Sequence, residues 1–277
     1  MPENDSPGAI PVRLRLEIVV TRALTGVLKR LGLRDSLVGR RRQRQRARRL
    51  AEEARGSDRL SHPALHGMDV KLDSIIDRDR GFFIEAGAND GFTQSNTYWL
   101  ERFRGWRGLL VEPMPEQAAE ARRSRPDSTV VECALVAADH PEPTVHMRFG
   151  DLMSAVDGVQ EVDWSRRGLI LGWRDPYELD VPARTLSSLL DELSAPEIDL
   201  LSLDVEGFEA QVLRGLDLAR HAPRYVLVEI HEPEVNRPPI DAILGERYLE
   251  HGWISDWDLL YVRRDVAGRK DSDQTRA

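Results

Sequence analysis

A chain of 277 residues, 41% apolar and 31% charged, holds one large α/β domain with a tail to spare, or two small ones. Its formal net charge of −8 divides unevenly: residues 1–60 carry 15 Lys/Arg against 7 Asp/Glu, a net of +8, and the remainder 24 against 40, a net of −16. That acidic body speaks against wrapping nucleic acid, and a single cysteine, Cys133, rules out a disulfide framework and points to a reducing compartment.

The opening MPENDSPGAI has acids and prolines where a signal peptide needs basic residues and then an apolar core. No run approaches the roughly 20 apolar residues of a membrane span, so the expected location is the cytoplasm. Residues 10–33 mix apolar residues with scattered arginines and predict one or two amphipathic helices, followed by a basic helix-like run around Arg40–Arg49. This segment is either a solvated helix, docked or projecting, or a surface for an anionic membrane or a partner protein. Gly26, Gly32 and Gly39 are expected to interrupt any single long helix.

From residue 60 the pattern turns α/β. A helix over Met68–Asp79 leads into a strand at 82–85, then a helix over Thr97–Phe103 and a second strand, 108–112, stopped by Pro113. A helix over 115–124 precedes a third strand, Thr129–Val136, and residues 144–149 alternate like a strand with one wet face. Residues 150–183 show no clear period and predict loops covering a site, with Trp164 and Trp173 placed either to stack on a sugar or to pack the loops down. Then come the helix RTLSSLLDEL, the strand IDLLSLDVEG, the helix FEAQVLRGL, the strand YVLVEIHEP and a final hairpin strand in WISDWDLLYVRR. Short apolar strands alternating with helices predict a mainly parallel sheet covered on both faces. The expected organisation is a basic helical extension over 1–60, an α/β domain over 61–265 and a disordered tail over 266–277.

The first strand ends FIEAGANDGF. A dinucleotide site wants Gly-x-Gly-x-x-Gly against a pyrophosphate, and this turn has one glycine too few and an acid, Glu85, two residues before Gly87. A phosphate beside Glu85 would be repelled, whereas an amine would be welcome. S-adenosylmethionine, with an amine, a positive sulfur, a ribose and no phosphate, fits better than NAD. Glu112, 25 residues after Gly87, stands where an acid meets ribose hydroxyls, and Glu132 and Cys133 fall where the adenine edge would lie.

The stretch FIEAGANDGFTQSNTYWLERFRGWRGLLVEPMP, with LLSLDVEGFEAQVLRGL and YVLVEIHE downstream, resembles the FkbM family of S-adenosylmethionine-dependent methyltransferases over about residues 81–233. The resemblance implies a class I methyltransferase fold, Rossmann-like, with a mostly parallel seven-stranded sheet, and O-methylation of a sugar or polyketide hydroxyl. It implies a donor loop of Glu85, Gly87, Ala88, Asn89, Asp90 and Gly91, with Ser95 and Thr97 starting the next helix, Glu112 on the ribose and an acidic turn at Asp204–Gly207. Three features depart from the pattern: Glu85 stands where the loop often begins with Asp, Ser202 where a lysine is common, and Ser154-Ala155 where a Ser-Ser pair is expected.

Transfer to an alcohol needs the oxygen held in line and its proton removed, by a base or with help from a metal. Asp204, Glu206, Glu229 and His231 sit at strand ends where a parallel sheet places such groups. Glu229 and His231 alternate and so share a side, and Asp204 faces them if the strands are neighbours. Either Asp204 and Glu229 hold Mg²⁺ with His231 as base, or His231 acts alone, positioned by an acid. Glu206 also suits a helix cap. The expected function is O-methylation of a sugar in a glycan or glycosylated natural product, with the basic extension contacting a membrane or a glycosyltransferase. A non-catalytic ligand-binding or scaffold subunit and an NAD-dependent oxidoreductase are the alternatives.

Overall fold

The computed structural model describes residues 33–149, 155–156 and 177–267. These fall into two compact units, residues 33–57 in the first and the rest in the second. The readings made on residues 10–32, on Ser154, Trp164 and Trp173, and on residues 268–277 lie outside the described residues.

In the first unit a single helix, α1 (Leu33–Glu53), carries the arginine run. It passes through Gly39, correcting the expected interruption. One glycine costs about 1 kcal/mol, and the Arg, Gln, Ala and Leu around it are strong helix formers. Arg40, Arg41, Gln43, Arg44, Gln45 and Arg48 are all exposed, leaving no apolar stripe on this part of the helix. Among the described residues, no helix is long and apolar enough to cross a membrane.

The second unit is built on a seven-stranded sheet in the order β10-β11-β9-β8-β1-β2-β3, with β1 at Phe82–Ala86, β2 at Arg107–Val111 and β3 at Thr129–Val131. The other half holds β8 (Leu200–Leu203), β9 (Tyr225–Glu229), β10 (Tyr248–Trp253) and β11 (Asp258–Arg263). Only β11 runs against the rest, pairing antiparallel with both β9 and β10. This is the class I methyltransferase fold expected from the resemblance.

The near-continuous apolar runs follow from burial on both faces. Phe83, Leu110, Leu200, Tyr225 and Leu227 point into one core layer, and Ile84, Leu109, Leu201, Val226 and Val228 into the other. Helices α2 (Met68–Ile76), α3 (Tyr98–Arg104) and α4 (Pro115–Ser124) close the first layer through Leu72, Ile76, Leu100 and Ala121. Helices α5 (Leu186–Glu192), α6 (Glu209–Arg214) and, after the short α7 (Leu218–His221), α8 (Pro233–Leu244) close the second. Leu189, Val212, Ile240 and Leu244 are their anchors.

Two expectations are corrected. The third strand is not continuous over Thr129–Val136: β3 ends at Val131, and Ala134–Leu135 form β4 in a second sheet of order β4-β7-β5-β6. The chain changes partner at Glu132–Cys133, leaving β2 for β7 (Tyr177–Arg184). Residues 177–184 are therefore strand, not loop; Leu179, Val181 and Ala183 turn inward while Glu178, Asp180 and Pro182 stay exposed. β7 pairs along the whole of β5 (Thr144–Phe149), and β6 (Ala155–Val156) completes the sheet.

Candidate active site

The C-terminal ends of β1, β2 and β8 open into a cleft of about 980 Å³, counted to its mouth. Its floor is the turn after β1. Gly87 has φ +82°, and a Cβ there would lie 1.8 Å from the carbonyl oxygen of Asp204, so only glycine lets the two strand ends approach. Asn89 is also left-handed, at φ 47°, which asparagine tolerates. Gly87, Ala88 and Asn89 line the cleft. Asp90 instead folds the turn, accepting from Phe92 N, Thr93 N and Thr93 Oγ1, and Gly91 packs on Arg125 and Ala121.

Glu85 is at the edge of the cleft but is committed inward. Its carboxylate accepts from Ser95 Oγ (2.9 Å), Asn96 N (2.9 Å), Thr97 Oγ1 (2.6 Å) and Arg125 Nη1 (3.2 Å). The Arg125 guanidinium is fully buried and also reaches Glu101 at 2.8 Å, the Gly91 carbonyl and Thr97 Oγ1, and it lies 5.0 Å from the centre of the Phe83 ring. The structure thus brings Glu85, Ser95 and Thr97 together as a buried ionic network holding the loop, and Thr97 does not line the cleft. Sequence reasoning passed over Arg125, which reads as one more arginine in ARRSRPD.

Glu112 lies at the far wall, buried, just beyond β2. Its two oxygens accept from Asn89 N (2.8 Å) and Met114 N (2.9 Å), and burial pushes its pKa up to about 7. A carboxylate has about four acceptor positions, so two remain. Beside it Cys133, Ala134, Leu135, Met147 and Phe208 form an apolar wall, with the buried Cys133 thiol pushed up to about 12 and hence protonated. Glu132 does not reach the cleft; it turns out to meet Arg122 at 3.5 Å. Two cleft-lining amides were not anticipated: Asn96 Oδ1 and Gln117 Oε1 are buried acceptors without a hydrogen-bond partner. Such atoms cost about 1–3 kcal/mol each until a donor reaches them.

At the mouth, β8 and β9 are parallel neighbours, which sets Asp204 against Glu229. The carboxyl of Asp204 is held well above its usual range by burial and then by the Glu229 charge beside it. Burial likewise raises Glu229 to about 7 and Glu206 to about 8. Glu206 sits at φ 56°, a strained conformation held by Glu209, whose carboxylate accepts from Val205 N and Gly207 N. Capping of that turn therefore falls to Glu209, not Glu206. His231 Nε2 lies 3.1 Å from Glu229 Oε2. Ligating atoms of Glu206, Glu229 and His231 all lie within 4.8 Å of one another; Asp204 and Glu206 line the cleft, and Glu229 and His231 are outside its lining.

The chain matches the model of the methyltransferase FkbM domain over residues 85–252. It is similar to the methyltransferase sdnD of Sordaria araneosa, 38% identical over 79 residues that cover 25% of this chain and 30% of that one. The matched stretch thus spans less than a third of that relative's length. Among solved structures, a TehB-like S-adenosylmethionine-dependent methyltransferase from Corynebacterium glutamicum superposes with a TM-score of 0.37 at 14% identity, covering 81% of this chain and 97% of that one. A human methyltransferase 10 domain containing protein gives a TM-score of 0.40 at 10% identity, over 71% and 81%.

Proposed function

The chain belongs to the methyltransferase FkbM family, and from that premise we propose that it transfers a methyl group from S-adenosylmethionine to a hydroxyl of a sugar in a glycan or glycosylated natural product. The observation that carries this reading is one cleft that runs from a nucleoside-sized slot at Glu112 to Asp204 and Glu206, with the ligating atoms of Glu229 and His231 within 4.8 Å of that of Glu206.

The residues present fit the donor. The two open acceptor positions of Glu112 suit a vicinal ribose diol, the wall of Cys133, Ala134, Leu135 and Met147 suits adenine, and Asn96 Oδ1 and Gln117 Oε1 await donors such as an amine. When bound, the donor would supply an electrophilic methyl on a positive sulfur, the C–S bonding pair passing to that sulfur as an acceptor oxygen took the methyl. His231 takes the hydroxyl proton. The imidazolium that forms rests against the Glu229 carboxylate, whose Oε2 lies 3.1 Å from Nε2. Asp204, set beside Glu229 by the pairing of β8 and β9, keeps a second carboxyl next to that pair.

The trio of Glu206, Glu229 and His231 favours a second reading, in which these side chains hold a divalent cation such as Mg²⁺ that polarises the acceptor hydroxyl. Loss of transfer on chelation, with recovery on adding Mg²⁺, selects it; indifference to chelator selects the plain base. The arginine-rich α1 suits docking on an anionic membrane that carries a lipid-linked acceptor, or beside a glycosyltransferase.

The test of the donor site is calorimetric titration with S-adenosylhomocysteine, with NAD as control and Glu112→Ala as second protein. Binding of the former alone, lost in the variant, is expected. Preference for NAD, or no binding, would end this reading.

A further inference from the structure

Beside the carboxylate–imidazole group stands an aromatic side chain that the donor site does not use. Trp257 closes the turn between β10 and β11, and it is 45% exposed. Its ring centroid lies 5.1 Å from that of His231, the planes inclined at 48°. An exposed tryptophan on its own needs no explanation. This one stands on a turn whose backbone is tied down on several sides. Ser255 Oγ accepts from Trp257 N (3.0 Å) and Asp258 N (2.9 Å) and donates to the Asp258 carboxylate. The Trp257 carbonyl accepts from Ile230 N (2.7 Å), which ties the turn to the end of β9 beside His231. Ile254 is fixed on both sides, its N–H to the Asp258 carbonyl and its carbonyl to Lys71 Nζ (2.6 Å) on α2.

An indole on an anchored turn, open on part of its surface and beside His231, which itself neighbours Glu229 and Glu206, has the chemistry that recognises a pyranose. The C–H face of a sugar stacks on an aromatic ring, and its equatorial hydroxyls donate to carboxylates. Because the turn is already ordered, little conformational entropy is lost when a ligand docks. We infer that Trp257 is the acceptor platform: it stacks a pyranose ring so that one hydroxyl reaches His231. This rests on the methyl-transfer reading above, and it moves acceptor recognition from the expected tryptophans of residues 150–183 to the β10–β11 turn.

The test uses the full chain saturated with S-adenosylhomocysteine and probed by saturation-transfer NMR with methyl α-D-glucopyranoside, methyl α-L-rhamnopyranoside and, as an acyclic control, sorbitol. Transfer to pyranoside ring protons, with sorbitol silent, is expected. Trp257→Ala should weaken pyranoside binding about tenfold and Trp257→Phe should restore most of it. S-adenosylhomocysteine affinity should be equal in all three proteins, because the substitutions leave the backbone bonds of the turn in place. Equal pyranoside binding by Trp257→Ala, or no pyranoside binding by a protein that holds S-adenosylhomocysteine, overturns the platform while sparing the donor site. Failure to hold S-adenosylhomocysteine removes the methyl-transfer reading, and the platform with it.

Discussion

The sheet ends in acids at two places, and the same residue types meet opposite fates there. At the end of β1, Glu85 and the nearby Glu101 close on the buried Arg125 guanidinium, and hydroxyls and a backbone N–H satisfy the rest of Glu85. At the ends of β8 and β9, Asp204, Glu206 and Glu229 crowd together with no arginine or lysine ion-paired to them among the described residues, and His231 lies 3.1 Å from Glu229. Neutralised charge makes a fixed scaffold. Crowded, desolvated charge makes groups that hold protons near neutral pH, as proton transfer requires.

The contrast breaks most sharply at Arg125. Arg125→Met keeps much of the volume but leaves two buried carboxylates facing each other, a cost of about 3–5 kcal/mol. Thermal or denaturant unfolding should show a loss of that size, and S-adenosylhomocysteine binding should fall with the loop. Arg125→Met combined with Glu85→Gln should recover part of the loss, since one stranded charge is gone.

At the other pole, His231→Ala should leave stability and S-adenosylhomocysteine affinity unchanged and lower the transfer rate about 10²- to 10⁴-fold. Single-turnover measurement with the acceptor separates this from a binding defect. A variant with normal turnover would assign the proton to another group.

Much of this was legible in the chain. The order of strands, the turn at Gly87 and the acids after β2, β8 and β9 announce themselves through apolar runs that stop at a charged or small residue. What sequence did not reveal was where those charges go. Glu85 looks like a ligand-binding acid because Arg125, 40 residues away, carries no local sign of burial. The strand at 177–184 has strict alternation, but Pro182 and the aperiodic residues before it concealed the period. Helix α8 contains Pro238 and Pro239, which argue locally against a helix; packing of Ile240 and Leu244 on the core overrides them. Trp257 resembles any surface tryptophan until β9 and β11 pair and bring His231 beside it.

Glu112 lies between the two poles, a buried carboxylate held by two backbone N–H groups and by no cation. Its pKa of about 7 against 4.5 unfolded means that the folded state binds the proton more tightly. Its contribution to stability is therefore greatest below about pH 4.5 and declines as pH rises through 7. At the proposed ribose site ligand binding runs the other way, since the ionised carboxylate offers more and stronger acceptor positions to hydroxyls than the protonated form. S-adenosylhomocysteine affinity should weaken by up to about tenfold per pH unit below 7. Glu112→Gln should bind about tenfold to a hundredfold less tightly at pH 8 and lose that slope. An unchanged slope would mean that another group reads the pH.

The smallest effect tests the boundary of the cleft. Glu132 and Cys133 are adjacent, yet the chain leaves the main sheet between β3 and β4, and the two side chains part. Cys133 faces the cleft, while Glu132 meets Arg122 in an ion pair with both side chains more than a third exposed. Pairs of that kind contribute little, because water screens them and ordering two long side chains costs entropy. Glu132→Ala should change stability by less than about 0.5 kcal/mol and leave S-adenosylhomocysteine affinity as it was. Cys133→Leu, by contrast, enlarges a buried residue on the apolar wall and should weaken that affinity with little change in His231-dependent chemistry. If Glu132→Ala is instead the variant that loses ligand, the chain does not change sheets at this point in solution. The slot assigned to adenine would then have to be redrawn around a continuous third strand.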